Sequence, residues 1–90
     1  MEKFKDISVD PDTKIIEEKF VKIGKYDAKF EHWLWDGIYA SSLIFVKSDV
    51  EHTTKEEIMD LIRKHTKEEG DITFSGKGKY WFFNYNFIIG

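Results

Sequence analysis

The chain has 90 residues, a formal net charge of −3 at neutral pH, no cysteine, and an aromatic content of 17%. That length allows one domain with one modest core. The absence of cysteine excludes a disulfide staple and a zinc–thiolate centre, so stability must come from packing, for which the aromatics are well suited. A mildly negative charge argues against a broad duplex-DNA footprint while leaving room for a local basic site.

No apolar run approaches bilayer-spanning length, and the opening Met-Glu-Lys-Phe-Lys-Asp lacks the apolar segment of a secretory signal, so a cytosolic address is expected. Residues 4–9 read as a short strand with Ile7 and Val9 on its apolar side. Asp10-Pro11-Asp12-Thr13 then breaks the pattern, and the stretch up to Gly24 has two physical readings. In one, Asp10 caps a helix, Pro11 occupies its first position, Gly24 ends it, and Ile15, Ile16, Phe20 and Ile23 form one stripe. In the other, Pro-Asp is a tight turn and residues 14–23 are a β-branched strand. Strict alternation fails, because Ile15 and Ile16 are adjacent and Glu17 and Glu18 come next, so the helix is preferred.

Residues 26–47 organise the rest. Asp36-Gly37 between two alternating apolar runs is a strong hairpin signal, since a type I′ turn needs positive φ at both central residues. This turn pairs Trp35 with Ile38, Leu34 with Tyr39, His32 with Ser41 and Phe30 with Leu43. Tyr26, Ala28, Phe30, His32 and Leu34 then share a core-facing side with Tyr39, Ser41, Leu43 and Phe45. Trp33 and Trp35 stand on the opposite, mixed face near the turn, beside Ile38.

Thr54-Lys55-Glu56-Glu57 fits a capping box, and Ile58, Leu61, Ile62 and His65 recur at helical spacing, so a helix is predicted over 54–69 with Gly70 as its stop. Asp60 and Lys64 form a favourable pair on it. Residues 72–74 read as a short strand and Ser75-Gly76-Lys77-Gly78 as a turn. A long strand comes last, over 80–89, with Trp81, Phe83, Tyr85, Phe87 and Ile89 on one buried face. The expected fold is α+β: an antiparallel sheet of four to five strands, built from two hairpins and packed on one face by one or two helices, as one domain over 1–90.

The chemistry of an enzyme is missing. His32 beside Ser41 is most simply a core histidine satisfied by a hydroxyl, because no carboxylate orients it as a base. His52 near Asp49, Glu51 and Glu56 lacks metal-ligand spacing and straddles a helix start. Gly70 lies one residue too far upstream of Gly76-Lys77 for a phosphate loop, and no Ser or Thr follows the lysine. No catalytic residue, metal or cofactor is expected.

Two surfaces remain. The first is Trp33, Trp35 and Ile38, because tryptophan brings large contact area with few rotors. With an acidic stretch over 49–71, it leads to a non-enzymatic protein that binds a larger protein partner by surface contact. An inhibitor that fills a partner's cationic groove, as phage accessory or anti-defence proteins do, is one form of this. The second is Lys77, Lys79, Tyr80 and Phe82. Lys77-Gly78-Lys79-Tyr80-Trp81-Phe82-Phe83 resembles the RNP1 strand of RNA-recognition motifs, in which aromatics stack on unpaired bases. The resemblance covers one strand, departs at Lys79 and Asn84, and lacks that family's element order. The alternative it implies is a single-stranded nucleic-acid or nucleotide binder, or a weak anion site. A third alternative is a homodimer through a sheet edge or the tryptophan face.

Overall fold

A computed structural model describes residues 2–7, 11–67 and 71–85. The fold is α+β: five strands in one antiparallel sheet, with one α-helix packed against one face. The strands are β1 (Lys14–Ile23), β2 (Tyr26–Trp35), β3 (Ile38–Val46), β4 (Ile72–Lys77) and β5 (Tyr80–Tyr85), in the spatial order β1-β2-β3-β5-β4. The helix α1 (Lys55–Thr66) lies between β3 and β4 in the chain. No helix among the described residues is long and apolar enough to cross a membrane.

Three two-residue turns fix the sheet. Asp36 and Gly37 both have positive φ, 48° and 76°, and the register they impose pairs Trp35 with Ile38, Leu34 with Tyr39, His32 with Ser41 and Phe30 with Leu43, as expected. Gly24 (φ 61°) opens the β1–β2 turn and Gly78 (φ 58°) the β4–β5 turn. The second hairpin therefore turns at Gly78-Lys79, not over 75–78, and β4 runs on to Lys77.

Residues 14–23 are a strand, which corrects the preferred helix. Four β-branched residues favour a pleated surface, and Gly24 serves a hairpin turn in place of a helix stop. The broken alternation has a local cause: a β-bulge between Ile15 and Glu17 inserts Ile16, so the adjacent isoleucines need not share a face. Past the bulge, Val21 and Ile23 face the core opposite Ala28 and Tyr26. Residues 2–4 form a 3-10 turn that places Phe4 over the other face, so residues 4–7 are not the expected strand; Val9 and the Asp10 cap lie outside the described residues.

The core lies between α1 and the expected face of the sheet. Ile58 and Ile62 of the helix meet Ile23, Ala28, Leu43, Phe45, Phe83 and Tyr85. Phe83 stands edge-on to Phe45 at 5.5 Å between ring centroids. Thr54 Oγ1 accepts from the Glu57 amide at 3.2 Å, the threonine half of the capping box. The helix ends at Thr66, with Lys67 in the left-handed conformation donating its amide to the Arg63 carbonyl. Gly70, the expected stop, lies outside the described residues, as does the strand beyond Tyr85. His65, expected at the edge of the apolar stripe, is exposed, and Asp60 pairs with Arg63 at 3.8 Å. A smaller cluster of Phe4, Ile44, Val46 and Tyr80 closes part of the second sheet face.

Candidate functional site: an apolar end of the sheet

The β2–β3 hairpin brings Trp33, Trp35 and Ile38 together on the face away from α1. Trp35 and Ile38 oppose each other next to the turn and are 43% and 51% exposed. One rung further in, Trp33 lies between Ala40 of β3 and Ile15 of β1. Trp33 is half-buried and its indole nitrogen is engaged: Nε1 donates to Ser42 Oγ at 2.9 Å, and Ser42 donates onward to Asn84 Oδ1 at 2.5 Å. The inner tryptophan is thus fixed by a relay across three strands, while the outer one offers its ring to solvent.

Two residues expected to be buried, Ile16 on a helix stripe and Tyr39 on the core-facing side, are instead exposed near this surface. Ile16, the bulged residue, is 47% exposed, and Tyr39, one rung from Trp35 and Ile38 but on the other face of the sheet, is 46% exposed because the core does not extend to the turn. Four of the five large, exposed apolar residues described, Ile16, Trp35, Ile38 and Tyr39, therefore gather at one end of the sheet. Phe20 is the fifth. The signal for Ile16 was present as the Ile15-Ile16 doublet, which breaks the strand period as a bulge does. Tyr39 is held by stacking on His32, with ring centroids 6.0 Å apart and 14° between planes. His32 Nδ1 lies 3.0 Å from Ser41 Oγ, the hydroxyl contact expected of it.

The second candidate surface folds differently from its sequence reading. Lys77, Lys79, Tyr80 and Phe82 do line one hollow of about 320 Å³ with Asp6 and Gly78. Tyr80, however, is only 3% exposed. Its hydroxyl donates to the Lys3 carbonyl at 2.7 Å, and its ring stacks on Phe4. Phe82 packs half-buried against the same cluster. Lys79 Nζ lies 2.6 Å from Asp6, whose carboxylate raises the lysine's pKa and offsets its charge. Tyr80 thus has no free ring face for a base, and of the two lysines at the turn Lys77 alone lacks a partner carboxylate among the described residues.

Charge is otherwise arranged for the fold. Asp27 accepts from Lys22 at 2.6 Å and Lys3 at 2.8 Å, and Lys3 also reaches Asp49 at 2.8 Å. Lys22 first, then Lys3, holds the Asp27 carboxyl down to about 2. Burial pulls Lys29 down, but Glu18 and Glu31, each 3.2 Å away, outweigh it and raise its pKa. His52 is exposed beside Glu51, and no group of His, Cys, Asp or Glu among the described residues is placed to hold a metal ion. No protein-family model, curated protein or solved structure was found to match the chain.

Proposed function

We propose that the protein works by contact, using the apolar end of its β2–β3 hairpin to bind a larger protein partner, which it would inhibit by occlusion. What carries this reading is the exposure of Trp35 and Ile38 on one face, with Tyr39 on the other and Ile16 at the bulge, all at the turn end of the sheet and outside the core. A rigid hairpin holding an exposed tryptophan suits an interface hot spot, because little conformational freedom is lost on binding.

Charge plays a lesser part than the acidic composition of 49–71 suggests. On α1, Glu56, Glu57 and Asp60 lie towards the start and Arg63 and Lys64 in the last turn, which complements the helix dipole, and with Lys55 the helix itself is balanced in charge. The binding energy is therefore assigned to the rings.

The test is capture from a nuclease-treated lysate of the native host, using tagged wild type, Trp35→Ala, Ile38→Ala and the double variant Lys77→Glu/Lys79→Glu. A nuclease-resistant protein partner is expected, with affinity reduced about thirtyfold by Trp35→Ala, the size of a hot-spot loss. The lysine variant should bind as wild type. Capture that depends on nucleic acid, or that ignores Trp35 and tracks the lysines, overturns the proposal.

A further inference from the structure

The sheet begins on an uncovered strand. Among the described residues β1 has β2 on one side and no strand on the other, and residues 17–20 are exposed in succession. Exposed strand edges in monomers are blunted by charge, bulges or short length. β1 has ten residues, a bulge near one end only, and charges of both signs, Lys14, Glu17, Glu18, Lys19 and Lys22, which repel or attract a second copy according to register. Its regular part, residues 17–23, is bounded by the Ile16 bulge and the Gly24 turn, and its midpoint is Phe20.

That midpoint makes the segment complementary to itself. In a two-residue hairpin the flanking pair, here Ile23 and Tyr26, exchanges both backbone bonds, and bonded rungs then alternate along the ladder. Glu18, Phe20 and Lys22 consequently turn their backbone groups outward. An antiparallel copy centred on Phe20 sets Phe20 against Phe20 and places Glu18 opposite Lys22 on both sides of the axis. All three have side chains on the face away from α1. Phe20 is 47% exposed there and rests against Phe4 at 5.7 Å. Glu18 and Lys22 are both open to solvent and sit within ion pairs to Lys29 and Asp27. Each Glu18–Lys22 rung would continue to Asp27 beyond Lys22 and to Glu31 beyond Glu18, the two glutamates sharing Lys29 from the neighbouring rung. Centring on Glu18, Lys19 or Lys22 puts like charges face to face, and centring on Val21 forms no opposite-charge rung, so the Phe20 register alone pairs Glu18 with Lys22.

We infer that β1 is a self-recognition edge, and that two copies of this chain pair through residues 17–23 about Phe20 to form a continuous ten-stranded sheet. The inference is independent of the proposed contact surface, which it leaves open. The two hairpin ends would lie at opposite ends of the shared ladder, giving a dimer able to engage two partner molecules.

A single shared edge is a small interface, so sedimentation equilibrium should cover about 10 μM to about 1 mM of the full chain. Wild type is expected to dimerise reversibly, and Trp35→Ala to dimerise equally. Glu18→Lys faces two lysines with two lysines, and Lys22→Glu faces two glutamates with two glutamates. Each alone should weaken the dimer by more than tenfold, while an equimolar mixture of the two restores every opposite-charge rung and should dimerise as wild type. Amide exchange on wild type reads the same edge without substitution: the amides of Glu18, Phe20 and Lys22 should slow as concentration rises, and the outer amides of β4 should not. A wild type that stays monomeric at about 1 mM, single variants that dimerise normally, or a mixture that fails to recover would each overturn the inference.

Discussion

At the scale of single residues, the clearest consequence of the structure is at Asp27. Its carboxylate is shared between Lys22 and Lys3, and its pKa falls from an ordinary 3.8 to about 2. The folded value lies below the unfolded one, so the group stabilises the fold above about pH 3.8 and loses that contribution as the pH falls towards 2. In a carboxyl NMR titration Asp27 should show a midpoint near 2. Lys22→Ala should raise that midpoint more than Lys3→Ala, because the Lys22 contact lowers it most. A midpoint that stays put in both variants would mean the ion pairs do not persist in solution. Glu31 shows a different balance. It is buried on the same face, its Oε2 3.2 Å from Lys29 Nζ, a polar group tolerated beside its counter-ion.

At the scale of elements, the β4–β5 hairpin depends on a missing side chain. The Trp81 ring lies over Gly76, stacks on Phe74 at 4.7 Å, and carries Lys47 Nζ 4.4 Å above its centroid. A Cβ at Gly76 would overlap that ring, so Gly76→Ala must displace the tryptophan or the strand. Overpacking of this kind costs about 1–3 kcal/mol. In a domain of this length each kcal/mol lowers Tm by about 4–8 °C. Gly37→Ala offers a contrast, because open space surrounds that glycine and only its positive φ opposes a side chain. A calorimetric comparison in which Gly76→Ala leaves Tm unchanged would refute the packing role of Trp81.

At the scale of the whole molecule, one core carries the fold. Phe83 is fully buried at the meeting of β3, β4, β5 and α1, against Phe45 and Phe74. Phe83→Ala should cost about 3–5 kcal/mol, a large share of the ~5–15 kcal/mol typical of a small domain. In urea the midpoint should fall sharply with the slope unchanged, as befits one cooperative unit. A change in slope or a second transition would show that the hairpins unfold separately.

The sequence by itself determined the parts of this protein that rest on neighbours in the chain. Asp36-Gly37 fixed the central hairpin and its register through backbone torsion, and Thr54 with the Ile58–Ile62 spacing fixed the helix and its buried face. Tertiary structure decided the segments whose local pattern is balanced. Residues 14–23 carry nearly equal helix and strand character, and pairing along β2 with the Ile16 bulge made them an edge strand. Tyr80 and Phe82 looked open because their strand alternates, but Phe4, from the far end of the chain, lies over them. Such a cover obeys no local period, since burial depends on which distant segment lands on a face, and the same reason left Trp35 and Ile38 exposed, on that face but outside the cluster around Phe4.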